Sequence, residues 1–249
     1  LLGSQCAEVL VAGCGTGLHP LEVAIDCPNI SVVAADLSRA SLAYGKRMAQ
    51  NHGVTNVEFL HADILELQKL GKMFPAIECA GVLHHMSDPE AGLRVLRKIL
   101  MPQGLILLGL YSERARESVV AIRNYLAAMK LDASEENIRQ LRHEIVMGKK
   151  FTNFPGITTI GDIFSMSGMR DLLFHVQEHR FTPLEIKTLC NNNNLNFLGF
   201  IDLAPPVIAA YEKLFPDDPE MTSLSNWDIF EQKNPSTFRG MFKFVCQAI

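Results

Sequence analysis

Residues 9–20 read VLVAGCGTGLHP: an apolar run, three glycines at alternate positions, then His-Pro. The run over 8–12 has the pattern of a strand buried on both faces in a parallel sheet. Glycines straight after such a strand let the backbone turn tightly and approach a ligand, as nucleotide sites require. Pro20 falls in the first turn of the helix expected over 18–26, where its missing N–H costs nothing.

The same alternation continues outward. Residues 31–35 (SVVAA) form a second expected strand ending at Asp36, and Ser38 caps a helix that runs to the glycine stop at His52-Gly53. Residues 56–60, 76–82 and 105–110 are the third, fourth and fifth. His61-Ala62-Asp63 closes the third, and His84-His85 follows the fourth. Between the last two, a helix begins at Ser87-Asp88-Pro89, presents Leu93, Leu96 and Leu100 at helical spacing, and is broken by Met101-Pro102-Gln103-Gly104. Strands alternating with helices over a hundred residues imply a doubly wound α/β sheet.

The regularity changes after Tyr111-Ser112. Ala115, Val119, Ile122, Leu126 and Met129 share one helix face, with Arg114 and Arg116 expected on its solvated side. Ser134 caps a second helix carrying Ile138, Leu141 and Ile145. A loop rich in Gly, Thr and Ser follows over 151–168, then the segment 169–178. Thr182-Pro183-Leu184-Glu185 is a capping box that restarts regular structure. Its helix ends in the Asn191–Asn194 tract. Residues 195–203 alternate as a strand, helical segments begin at Pro205, and 238–246 read as a last strand. The expected division is a core of 1–111 and 182–249, with a largely helical insertion over 112–181 that lids the substrate side.

Composition bounds the function. The 249 residues are 48% hydrophobic and 20% charged, with a net charge of −4, so binding to nucleic acid regardless of sequence is disfavoured. Cys6, Cys14, Cys27, Cys79, Cys190 and Cys246 are scattered without C-x-x-C or zinc spacing, which suits a reducing cytoplasm and no structural metal. The longest apolar stretch, near 105–110, is far short of a membrane span, and no signal peptide is visible. The first strand starts within about ten residues of the N-terminus, which suits a piece of a longer chain.

A dinucleotide fingerprint is G-x-G-x-x-G, whereas Gly13, Gly15 and Gly17 are spaced G-x-G-x-G and Leu18 takes the third dinucleotide position. Asp36 suits ribose hydroxyls in either cofactor class, its alternative role being a helix cap beside Ser38. Asp63, at the carboxyl edge of the sheet, suits an adenine amine or a simple turn.

The segments VLVAGCGTG, AADLS, HADI, AGVLHHMSDP and LMPQGLILLGLYS occur in that order over residues 8–112. On these the chain resembles the class I S-adenosylmethionine-dependent methyltransferases. The resemblance implies a Rossmann-like, seven-stranded, mostly parallel sheet with an antiparallel last strand. It implies S-adenosylmethionine as cofactor, S-adenosylhomocysteine as product, and a methyl acceptor that is a small molecule or a protein. Cofactor contacts are then expected at Gly13, Cys14, Gly15, Gly17, His19, Asp36, Leu37, Ala62, Asp63, Ile64, Gly81 and Val82. The methyl-transfer site would follow the fourth strand, with His85 and Tyr111 as catalytic candidates and His84 on the substrate. The tail segments RDLLFHVQEHRFTPLEIK, FPDDPEMT and NPSTFRGMFKF resemble a bacterial subgroup whose domain often follows tetratricopeptide repeats. Three departures stand out: Val11 occupies a position that is usually acidic and contacts the cofactor's methionine moiety, Phe74-Pro75-Ala76 stand early in the fourth strand where an acidic residue is common, and Gln103 replaces a glycine of the usual Pro-Gly-Gly turn.

In RDLLFHVQEHRF, residues 170–181, His175 and His179 would share a helix face and reach the substrate. Glu178 is not adjacent to the first histidine, so H-E-x-x-H is absent and no metal is expected. The commoner outcome for this charged stretch is a solvated face or an internal ion-pair cluster. Two other functions fit the sequence: a cofactor-binding module without catalysis, and an NAD-dependent oxidoreductase.

Overall fold

The structure is a computed structural model that describes residues 7–152, 154, 157–175 and 177–249. Cys6, three positions of the 151–168 loop and Val176 of the 169–178 segment lie outside the described residues.

Seven strands make one sheet: β1 (Ala7–Ala12), β2 (Ile30–Asp36), β3 (Val57–His61), β4 (Phe74–Ala80), β5 (Leu100–Leu110), β6 (Leu195–Phe200) and β7 (Phe242–Ala248). Their order is β3-β2-β1-β4-β5-β7-β6. The pairings from β3 to β5 are parallel, and β7 runs antiparallel to both β5 and β6. This is the Rossmann-like α/β sheet expected. The strand order reverses beside β1, so the carboxyl ends of β1, β2 and β4 open onto a shared crevice.

Helices α1 (Leu18–Asp26), α2 (Arg39–Asn51) and α3 (Pro89–Ile99) connect the parallel strands. The caps read from the sequence at Ser38 and Ser134 are made, with Ser38 accepting from Ser41 N–H and Ser134 from Asn137 N–H; Asp88 also caps α3, accepting from Ala91 N–H with Pro89 at the first position. Helices α4 (Glu117–Ala128), α5 (Glu135–Val146) and α6 (Met166–Phe174) follow β5 and pack around their own apolar cluster, from Val119 to Leu173. Ser112 and Phe181 bridge the two ends of that segment. Helix α7 (Pro183–Asn192) starts at the full Thr182/Glu185 capping box, and α8 (Pro205–Leu214) and α9 (Leu224–Lys233) flank the last strands. Among the described residues no helix is long and apolar enough to cross a membrane.

Several boundaries differ from the sequence expectation. Helix α3 passes straight into β5 at Leu100, and residues 101–104 become an irregularity where Leu100 pairs Phe74 and Leu105 pairs Ala76. Strand β4 stops at Ala80 because Gly81 turns with φ +79°, and Leu83–His85 coil into a 3-10 turn. Strand β6 ends at Phe200, and Asp202, at φ +58°, redirects the chain. Phe238 lies in the aromatic core before β7 begins.

Candidate functional site

The glycine loop is built as its spacing requires. Gly13 N–H and Cys14 N–H donate to Ala35 O at 2.8 and 3.0 Å, tying the loop to the end of β2. A Cβ on Gly15 would meet nothing within 4 Å, whereas one on Gly17 would sit 3.1 Å from Gly45 Cα of α2 and 3.0 Å from Phe59. Gly15 therefore opens a cradle, and Gly17 permits close helix packing. The Cys14 thiol is pushed up to about 12 by burial and the nearby Asp36 charge, so it stays protonated.

Asp36 accepts from Gly15 N–H at 2.8 Å on one oxygen and from Ser38 N–H at 2.7 Å on the other. Asp63 accepts from Leu65 N–H at 2.9 Å, capping the 3-10 turn over Ile64–Leu70. Both carboxylates thus serve the loops as well as facing a cleft of about 350 Å³. Gly13, Leu37, Ala62, Ile64, Val82 and His85 line the same cleft. Gly81, next to Val82 in the chain, lines a second, larger cavity of about 690 Å³ together with Tyr111 and Asp171.

His19 does not line the cleft. Its Nε2 lies 2.5 Å from an oxygen of Glu78, which the sequence reading passed over. Glu78 stands on β4 as the register partner of Val11 on β1. Opposed residues of adjacent strands share a face, so the carboxylate missing at Val11 is supplied one strand away. A lone acid within an apolar run was the signal in the sequence; its pairing partner was not visible there.

The second half of the site forms where the segment after α6 runs back beside β4 and β5. His179 N–H donates to His84 O at 2.7 Å and Phe181 N–H to Tyr111 O at 2.8 Å. Helix α6 ends at Phe174, and His175 is already extended, so His175 and His179 do not share a helix face. His175 instead stacks on His85 with ring centroids 3.8 Å apart, while His179 Nε2 contacts the Gln177 amide. His84 is fully buried against Tyr111. Burial, with His85 and Arg116 nearby, draws its pKa down to about 2, and it stays neutral.

Arg116 overturns the expectation of a solvated arginine. Its side chain is 2% exposed, lies 3.5 Å over the Tyr111 ring, and pairs at 2.8 Å with Glu178, itself 1% exposed. Arg123 shares the same carboxylate at 2.8 Å. Arg114 is likewise engaged, with Asp228 and the buried Glu231. The charged stretch 170–181 is therefore largely an internal ion-pair cluster. Desolvation, only partly offset by Arg116, pushes the Tyr111 hydroxyl up to about 12, which keeps it protonated.

Known proteins place this architecture. A family model described as a methyltransferase domain matches residues 5–182. A protein of Synechococcus sp. designated syc1184_c is 27% identical over 206 residues, covering 78% of this chain and 48% of that protein. A ubiquinone biosynthesis O-methyltransferase of Acinetobacter baumannii is 25% identical over 116 residues, covering 46% of this chain and 48% of its own length. PKMT2 from Rickettsia typhi superposes with a TM-score of 0.70 at 21% identity, covering 97% of this chain and 48% of that one. The chain thus spans about half the length of these relatives. With the model matching well over half of its residues, the chain belongs to the methyltransferase-domain family.

Proposed function

We propose that this chain transfers a methyl group from S-adenosylmethionine to an acceptor held in the 690 Å³ cavity, leaving S-adenosylhomocysteine. The observation that carries the reading is that two neighbours in the turn at the carboxyl end of β4 line different spaces, Gly81 the large cavity and Val82 the cleft of Asp36 and Asp63. PKMT2 has also been solved in complex with AdoHcy, which supports the choice of cofactor.

The residues fit that molecule. Gly15 leaves open space beside the loop. A carboxylate offers about four acceptor sites, and Asp36 and Asp63 spend two and one on backbone N–H groups. The remainder suit ribose hydroxyls and an adenine amine between the aliphatic walls of Leu37 and Ile64. Glu78, with His19, would hold the ammonium end that Val11 cannot.

When bound, the cofactor supplies an electrophilic methyl on a sulfonium that is already a good leaving group. The chain must then align the acceptor, exclude water and take up a proton where the acceptor loses one. His85 fills the last role: its Nδ1 is held by the Gln177 carbonyl at 3.0 Å, which leaves the lone pair on Nε2. Tyr111, protonated and backed by Arg116, serves as a wall and a donor. The helical segment 112–181 covers the acceptor side as a lid. The same reading places the chain in the cytoplasm, acting on a metabolite or protein and without nucleic acid, with tetratricopeptide repeats upstream in the longer protein.

Calorimetric titration tests the cofactor. One site for S-adenosylhomocysteine and none for NAD is the expected result; NAD binding alone would overturn the reading. Formation of S-adenosylhomocysteine with fractionated cell extract as acceptor separates catalysis from mere binding.

A further inference from the structure

Three side chains from separate places converge: His85 from the turn after β4, which lines the smaller cleft, Asp171 from the last turn of α6, which lines the larger cavity, and His175 one residue beyond that helix. One ligand atom from each lies within 4.8 Å of the others. We propose that His85, Asp171 and His175 form a site for a single borderline divalent cation of the zinc class.

The orientation of the two imidazoles carries the inference beyond proximity. Both Nδ1 atoms approach the same atom, the Gln177 carbonyl oxygen, at 3.0 Å for His85 and 2.7 Å for His175. A carbonyl only accepts, so each Nδ1 carries the ring proton and each Nε2 keeps a lone pair. The Gln177 N–H also lies near His175 Nδ1, but at 3.2 Å it is the weaker partner. A metal-bound histidine almost always donates its other N–H to a carbonyl or carboxylate, and here one carbonyl presets both rings.

The third group completes the set. Asp171 Oδ1 stands 3.7 Å from His85 Nε2, too far for a hydrogen bond and close to the spacing of two ligands on one cation. Around a tetrahedral zinc the ligand atoms are about 3.3 Å apart, so the three would draw in by at most about 1.5 Å. All three residues are partly buried, with the Asp171 side chain 45% and the His85 side chain 15% exposed, and coordination positions stay open on the side of the carboxylate, toward the space that Asp171 and Asp162 line. Two neutral imidazoles with one carboxylate select Zn²⁺ or Fe²⁺ and disfavour Mg²⁺ and Ca²⁺, which prefer oxygen. Sequence spacing had paired His175 with His179. The end of α6 at Phe174 breaks that pair and hands His175 to His85.

The site does not depend on methyl transfer. If both hold, the cation takes the His85 lone pair assigned above to proton uptake, and Zn²⁺ inhibits turnover.

The test is Zn²⁺ alone, titrated against a chromophoric chelator with the intact chain. One equivalent is expected to bind, and His175→Ala and Asp171→Asn should each lower Zn²⁺ affinity at least 10- to 100-fold, the cost of losing even an outer-shell partner. His179→Ala should bind as the parent does. Circular dichroism of each metal-free variant confirms that it is folded, and Zn²⁺, but not Mg²⁺, should raise the melting temperature of the parent. Zinc retained by both ligand variants, zinc lost in His179→Ala, or no competitive binding by the parent would each overturn the site.

Discussion

Replacing Glu78 with Val tests how the site copes without an acid at position 11. Among the described residues Glu78 pairs with His19 Nε2 at 2.5 Å, and the Glu78 and His19 side chains are 18% and 48% exposed. A pair this open is screened and contributes about 0.2–1 kcal/mol, and valine suits a strand, so Glu78→Val should shift stability by less than about 1 kcal/mol. Its effect on ligand binding should be larger. A charge-assisted hydrogen bond to an ammonium sheltered in the loop is worth about 1.5–3 kcal/mol, which is about 10- to 150-fold in affinity. Calorimetry with S-adenosylhomocysteine reads the loss, and urea unfolding in parallel separates it from destabilisation. Because Val11 and Glu78 are register partners on adjacent strands, about 4.8 Å apart, adding Val11→Glu to Glu78→Val should return part of the lost affinity. A Glu78→Val variant that folds normally and binds with unchanged affinity would refute the reasoning.

Other outcomes follow from the same contacts. Gly15→Ala should cost only the left-handed backbone strain of about 1–2 kcal/mol while weakening cofactor binding, because its Cβ enters open space. Gly17→Ala adds overpacking against α2 and Phe59 and should cost about 2–4 kcal/mol in denaturant unfolding. Glu178→Ala strands two guanidinium groups, Arg116 and Arg123, and should cost about 3–5 kcal/mol by the same measurement. Burial raises the Asp218 carboxyl, but hydrogen bonds from Tyr211, Ser223, Thr222 and Asn226 outweigh it and hold the pKa below the ordinary value of 3.8. A depressed folded pKa stabilises above the unfolded value and is lost as pH falls through the folded one. Asp218→Asn should therefore cost about 1–2 kcal/mol at pH 7, with the difference from the parent shrinking below about pH 4; a gap that widens in acid would sink this assignment.

The parallel half of the molecule was legible because its rules are local. Apolar runs ending in glycine or Asp, caps at Ser38 and Asp88, and the Thr182/Glu185 box each state an element's type within a few residues. Boundaries slipped where the decisive contact was distant. Residues 101–104 read as a break, but pairing with β4 carries them along as an irregular stretch of β5. A helix carrying both His175 and His179 does not form, because α6 ends at Phe174 and beyond His175 the backbone bonds instead to His84 in the turn after β4 and to Tyr111 and Glu113 after β5.

The candidate site divides along the same line. The sequence alone determined the glycine cradle, Asp36 and Asp63, since each follows its own strand and the sheet delivers all three to one edge. Only the tertiary structure decided which groups meet across strands and segments. It set Glu78 beside Val11, turned Arg116 from solvent onto Tyr111 and Glu178, and exchanged His179 for His85 and Asp171 as the neighbours of His175. Spacing along a chain reports one turn or one strand, whereas those contacts depend on register between strands and on where a helix stops.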